Sequence, residues 1–222
     1  EAGCFEIFLV VESFNSEVLR SVHKMHNKPA MYAAIVELCT RYGIIAHFSN
    51  IVGFPQQSEN DIREHLKTLV DLGPPIASFY LLTPIPGTRQ YAQFLRDGLI
   101  TEPNMDRYDG THSTWQHPGI SSERLADLLF ASFSGFYESA LPDGALAAMP
   151  NGTRFMARMQ RRFSRQMATQ RLHPMSGGME PVTLDTAAEY AALRRNMFGI
   201  DLAPLPAIRE LTPEEKLASR GR

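Results

Sequence analysis

The sequence predicts an α/β protein built on a parallel sheet. Two observations predict it. Three short runs rich in apolar and β-branched residues, Cys4 to Val11, Ile44 to Phe54 and Ile76 to Thr83, read as buried strands. Each is followed by a stretch with helical apolar spacing, and the strand–helix unit recurs at roughly 30 to 40 residues, the pattern of right-handed βαβ crossovers.

The first strand ends at Glu12-Ser13, where Asn15 or Ser16 can cap a short helix from Ser16 to about Lys24. Asn27-Lys28-Pro29 breaks the chain. A second helix, Ala30 to Tyr42, carries Ala34, Ile35, Leu38 and Cys39 at three- and four-residue spacing, and Gly43 stops it. After the second strand, Ser58 and Asp61 form a capping-box pattern ahead of a helix whose apolar face is Ile62, Leu66, Leu69 and Val70. Gly73-Pro74-Pro75 ends that helix. The third strand closes on Thr83-Pro84-Ile85-Pro86-Gly87-Thr88, and a helix from Arg89 to about Arg96 stops at Asp97-Gly98.

The second half changes character. Glu102 to Gly119 is polar, and Ser121 to Ala140 reads as a long helix with Leu125, Leu128, Leu129, Ala131, Phe133 and Phe136 on a broad apolar face. Asn151 to Arg171 reads as an arginine-rich helix, His173 to Thr183 as a linker, Leu184 to Phe198 as a further helix, and the remainder from Asp201 as a mobile tail. Two parts are therefore expected, residues 1–140 and a helical extension over 141–222.

Composition narrows the function classes. A net charge of −2 across 222 residues gives no electrostatic footprint for nucleic acid. Two cysteines, Cys4 and Cys39, lie far apart without a C-x-x-C pairing, which points to a reducing, cytoplasmic setting. No run approaches the roughly 18 to 20 apolar residues of a membrane span.

In a parallel α/β sheet ligands gather at the C-terminal strand ends. Glu12 and Ser13 stand at the first such end, as a turn and helix cap or as recognition groups for a polar small molecule. Ile51-Val52-Gly53-Phe54-Pro55 stands at the second, where glycine permits close backbone approach and proline stiffens the loop. His47 and Tyr80 lie inside strands, where packing and a pocket role compete. His112 and His117 flank Trp115 at no metal-ligand spacing and read as loop packing. The arginines from Arg154 to Arg171 suit an acidic partner, a membrane surface or a phosphate, or simply a solvated face, with Phe155, Met159 and Phe163 on one side.

Three of these segments, in order, resemble the radical S-adenosylmethionine enzymes. Val10-Val11-Glu12-Ser13 with Leu19 and Lys24 is similar to that family's fourth-strand G-x-E-S segment. Gly43-Ile44 with Ile51 to Pro55 and Asp61-Ile62 resembles the fifth-strand region, and Thr83 to Thr88 the sixth-strand T-P-x-P-G-T ending. The resemblance covers residues 1–140 and is closest to the subgroup that often carries a cobalamin-binding domain. It implies the C-terminal half of a partial (βα)6 TIM-like barrel and the reductive cleavage of S-adenosylmethionine at a [4Fe–4S] cluster to begin radical chemistry on a small-molecule substrate. It also implies that Glu12 and Ser13 face the methionyl or ribose part of the cofactor, and that Ile51 and Gly53 lie along its adenine.

Departures accompany the likeness. The C-x-x-x-C-x-x-C that holds the cluster and the Gly-Gly-Glu segment are absent, Val10 replaces a glycine, and Gln57 stands where an acidic residue is common. Without thiolates this chain forms no cluster and makes no radical by itself. The expected partner is therefore the missing N-terminal half of the barrel, and the open edge of the first strand predicts self-association. The rival readings are a non-catalytic half-barrel binding module and a hydrolase or aldolase fragment. The latter would need several acidic or lysine residues at strand ends, where only Glu12 is found.

Overall fold

The computed structural model describes residues 3–139, 146–147 and 149–170. Among them, the residues up to Leu82 together with those from His117 form one compact unit, and Thr83–Gln116 form another. The sequence-predicted linker, last helix and tail beyond Arg171 lie outside the described residues.

The first unit is α/β. Strands β1 (Glu6–Glu12), β2 (Ile45–Val52) and β3 (Ile76–Leu81) make a parallel sheet in the order β1-β2-β3. β2 and β3 each pair with the strand before them. The helices are α1 (Ser16–Ser21), α2 (Tyr32–Arg41, preceded by a 3-10 turn at Pro29–Met31), α3 (Glu59–Leu72), α5 (Ser122–Glu138) and α6 (Asn151–Thr169). In the second unit lies α4 (Arg89–Arg96).

Strand parity divides the sheet into two unlike faces. Val11, Ala46, Phe48, Val52, Ala77, Phe79 and Leu81 join the main core with Leu69 of α3 and Leu125, Leu129, Phe133 and Phe136 of α5. Phe79 meets the rings of Phe133 and Phe136 edge-on at 5.0 and 6.1 Å, the arrangement that the ring quadrupoles favour. The other face presents Glu6, Phe8 and Val10 of β1 in register with Ile45, His47 and Ser49 of β2, while His47, Ser49 and Ile51 are in register with Ile76, Ser78 and Tyr80 of β3. Ile45 and Ile76 are closed off at its lower end by Met149 and Ala157.

Local chemistry explains the boundaries. Ser58 accepts from the Asp61 N–H while Asp61 accepts from the Ser58 N–H at 2.7 Å, so the predicted capping box starts α3. Gly73, at φ +66°, ends it in the left-handed conformation that glycine takes without cost. Asn15, not Ser16, caps α1.

Two expectations are corrected. The first helix stops at Ser21 instead of Lys24, because His23 turns to φ +59° and the chain doubles back through the Lys24 N–H to Leu19 carbonyl bond. The apolar face of α2 is rotated from the one predicted. Tyr32, Ile35, Val36 and Cys39 pack on the core, whereas Ala34 and Leu38 are exposed. Tyr32 takes the inner place because its ring meets Phe48 edge-on at 5.7 Å and its hydroxyl reaches the Val11 carbonyl.

In the second unit Thr88 caps α4 by accepting from the Tyr91 N–H. Ile100 bridges Trp115, and Trp115 lies 4.6 Å from the ring of Phe94. Asp109 gathers hydrogen bonds from Thr111 and His112. Burial alone would raise its carboxyl, but these bonds bring it down to about 2.

Candidate functional site

The C-terminal ends of β1 and β2 carry all four site residues expected from the sequence. Glu12 is opposite Asn50 across the β1–β2 ladder, just where the register slips after Val10. Its backbone sits at φ +62°, and the Ser13 N–H closes a tight turn across it onto the Val11 carbonyl at 2.7 Å. Holding a residue with a Cβ in that region costs about 1 to 2 kcal/mol.

Its surroundings over-determine the strained turn. Lys24 pairs with the Glu12 carboxylate at 2.9 Å. The Asn27 side-chain amide donates to the carbonyls of both Val10 and Val11, at 2.8 and 3.1 Å, and Tyr32 donates to Val11 at 3.3 Å. The early stop of α1 at His23 is what returns Lys24 to the strand end. Ser13 is buried, and its hydroxyl accepts from the Asn15 N–H at 3.1 Å, which leaves the hydroxyl proton to donate elsewhere.

At the end of β2, Ile51 is half-buried on the same face as His47 and Ser49, in register with Tyr80. Gly53 is at φ +86°, and a Cβ there would lie 2.8 Å from Leu125 Cδ2. Packing against α5 therefore demands this glycine, in addition to any ligand.

Three further residues complete the rim, and of these only Asn50 is given no role by the sequence. Gln57 is buried, and its Oε1 accepts from two successive backbone N–H groups, Gly53 at 3.0 Å and Phe54 at 2.9 Å. The departure from an acidic residue thus keeps an acceptor oxygen at that place. His117 Nε2 donates to the Phe54 carbonyl at 2.9 Å while Nδ1 accepts from Gly119 and Ile120, the loop-packing role expected of it. Asn50, fully buried in the strand, donates to the carbonyls of Phe48 and Ser78 and accepts from His65 Nε2 at 2.9 Å. Only the spatial neighbourhood, not the local spacing, signals this pair.

A cleft of about 460 Å³ opens beside the rim, lined among others by Ser13, Phe14, Gln57, Asp61, Glu64 and His65. His65 Nδ1 is enclosed without a hydrogen-bond partner, and burial holds its ring down at a pKa of about 4. A neutral His65 is what allows it to sit in this wall.

The second polar group is deeper. Glu6 Oε1 lies 2.8 Å from His47 Nδ1, and His47 Nε2 lies 3.2 Å from Ser78 Oγ. Burial lowers the His47 pKa, and the Glu6 carboxylate opposes that shift. His47 is a satisfied buried histidine. Tyr80, whose phenol is raised by burial and partly relieved by a hydrogen bond with Ser78, extends the line toward the rim.

Among the described residues no group of three or more His, Cys, Asp or Glu side chains is arranged to hold a metal. Cys4 is exposed and Cys39 faces the core from α2, so the two cysteines do not fit an iron–sulfur cluster. No helix among the described residues is long and apolar enough to cross a membrane.

With this geometry in view, the relatives are informative. No protein-family profile matches the chain. It is 26% identical over 137 residues to an uncharacterized methyltransferase of Pyrococcus horikoshii, 62% of this chain and 30% of that protein. It is 28% identical over 131 residues to the bacteriochlorophyllide d C-8(2)-methyltransferase of Chlorobaculum tepidum, 59% of this chain and 28% of the relative. The bacteriochlorophyllide d C-12(1)-methyltransferase of the same organism is 24% identical over 170 residues, 76% and 37% of the two chains. All three are methyltransferases by name. The matches span about a third of their length.

Proposed function

We propose that this chain is the back part of the catalytic domain of an S-adenosylmethionine-using methyltransferase of the radical type. In this reading the β1-β2-β3 sheet is the C-terminal half of a partial barrel, and residues 1–140 form the barrel part. The observation that carries it is the strained Glu12, held at the end of β1 by Lys24, Asn27 and Tyr32. Strain that the surroundings maintain at a strand end marks a functional site, and the likeness to three methyltransferases supports the class.

Each rim residue has a task in this reading. The Glu12 carboxylate accepts from the ammonium or ribose hydroxyls of the cofactor, and the free proton of the Ser13 hydroxyl donates to its carboxylate. Ile51 offers an apolar wall to the adenine, while Gly53 and the Gln57 clamp fix the loop beside it. Bound S-adenosylmethionine supplies the activated carbon centres of the reaction. The cluster that would reduce it would be held by residues outside those described.

The bare edge of β1 supports the same reading. Phe8 and Val10 of β1 and Phe5 just before it are 50%, 48% and 53% exposed, an apolar edge of the kind that pairs with another strand. The front half of a barrel is the partner that fits it.

Equilibrium dialysis of the 222-residue chain against radiolabelled S-adenosylmethionine tests the reading. Glu12→Gly relieves the backbone strain but gives up the Lys24 ion pair and adds unfolded-chain freedom, so stability should change by no more than about 1 kcal/mol while retention of the ligand weakens. Retention by the Glu12→Gly variant equal to that of the original chain, or none by either, would sink the proposal.

A further inference from the structure

Helix α6 has three sectors. Its inner sector is small: Ala157, Ser164 and Ala168 are buried against the rest of the unit. Two arginines flank that sector and are tied down. Arg154 donates to the carbonyls of Ala147 and Met149. Arg161 donates to those of Pro75 and Ser139 and lies over the rings of Phe136 and Tyr137.

The outward sectors are of a different kind. Phe155, Met156, Met159 and Phe163 are 61%, 50%, 50% and 50% exposed, and at about 100° per residue they occupy a continuous arc of about 100°. Beside that arc stand Arg158, Arg162 and Arg165, exposed and bonded to nothing among the described residues. The helix contains five arginines and no acidic residue, so a chain of net charge −2 divides into +5 on α6 and −7 elsewhere.

We infer that α6 is an interfacial docking helix for an anionic phospholipid bilayer. Large apolar side chains projecting from a helix make a convex ridge, and a protein partner would need a matching groove. A bilayer needs none. The phenylalanines and methionines enter the headgroup–acyl boundary, and the arginines, whose long stems reach sideways, stay at the level of the lipid phosphates. A second copy of this chain is a poorer fit, because an isologous contact brings the two arginine rows together without acids to answer them. The inner end of α6 packs at the N-terminal ends of β2 and β3, through Met149, Ala157 and the Arg161 bond to Pro75. Docking by its outer side leaves the opposite, C-terminal strand ends free.

The test uses the full chain and sedimentation with sucrose-loaded vesicles of phosphatidylcholine, alone or mixed with phosphatidylglycerol. Binding is expected to the mixed vesicles only and to fall as salt rises. The triple variant R158E/R162E/R165E should bind about 100-fold more weakly, and Phe155→Ser with Phe163→Ser should weaken binding without changing the charge. As a second readout, a polarity-sensitive fluorophore on a Met159→Cys variant in a Cys4→Ser background should shift to the blue on adding mixed vesicles. All these positions are exposed, and far-ultraviolet circular dichroism checks that each variant keeps its fold. Equal binding to neutral and anionic vesicles, or variants that bind like the original, overturns the inference. So does an oligomer that the phenylalanine variant converts to monomer while vesicles have no effect.

Discussion

The phenol of Tyr137 engages both backbone groups of Ala77, accepting from its N–H at 3.2 Å and donating to its carbonyl. In a parallel ladder the N–H and C=O of one residue point to the same side, and β2 pairs with β3 on the other. Tyr137 therefore takes the place of a fourth strand at that residue. Burial pushes its pKa up to about 12, so the hydroxyl keeps the proton it donates. Tyr137→Phe should cost about 1 to 3 kcal/mol, seen as a lower urea midpoint with an unchanged slope. An unchanged midpoint would show that the edge does not need the phenol.

Gly53 and Leu125 should behave as a coupled pair. Gly53→Ala must both enter a positive φ and press on Leu125, at a combined cost of about 2 to 4 kcal/mol. Leu125→Ala alone should cost about 2 to 5 kcal/mol. The double variant should fall short of the sum by about 1 kcal/mol or more, because only the steric part is relieved. Strict additivity in denaturant unfolding would refute the contact.

His65 predicts a pH dependence with a definite sign. Its folded pKa of about 4 lies below the 6.5 of an unperturbed histidine, so the unfolded chain takes up the proton first. The stability it contributes is present above pH 6.5 and is lost as pH falls toward about 4. The loss across that window is on the order of 2 to 3 kcal/mol. His65→Gln should flatten the stability curve between those limits. A variant whose curve runs parallel to that of the original would remove His65 as the cause.

The β1 edge predicts association. At micromolar concentration the chain should scatter light as more than a monomer. Phe8→Lys together with Val10→Lys, at exposed positions of that edge, should shift it toward monomer. A monodisperse original chain would contradict this.

The strand–helix order was legible because each strand is a dense apolar run and each helix begins or ends on a recognisable cap, as at Ser58 and Gly73. The placement of Glu12 and Gly53 at strand ends was legible for the same reason. What the local pattern hid were partnerships across long separations. Asn50 is satisfied by His65 and Ser78, 15 and 28 residues away, and periodicity carries no trace of such a bond. The three- and four-residue spacing of Ala34, Ile35, Leu38 and Cys39 puts Leu38 on the inner face of α2. The exposed Leu38 shows that the fit of Tyr32 between Phe48 and Val11 decides the rotation. Gln57 looked like the loss of a carboxylate, whereas the loop needs only one acceptor oxygen aimed at two N–H groups.

The β1-β2-β3 order also bears on how the protein is made. β2 and β3 each find a partner in the strand that left the ribosome just before them, and neither has to be inserted between strands made later. Assembly can thus follow synthesis, each crossover closing a loop of modest length. The last described helices then arrive on a sheet that is already paired, and Tyr137 closes its growing side only after translation has passed α5.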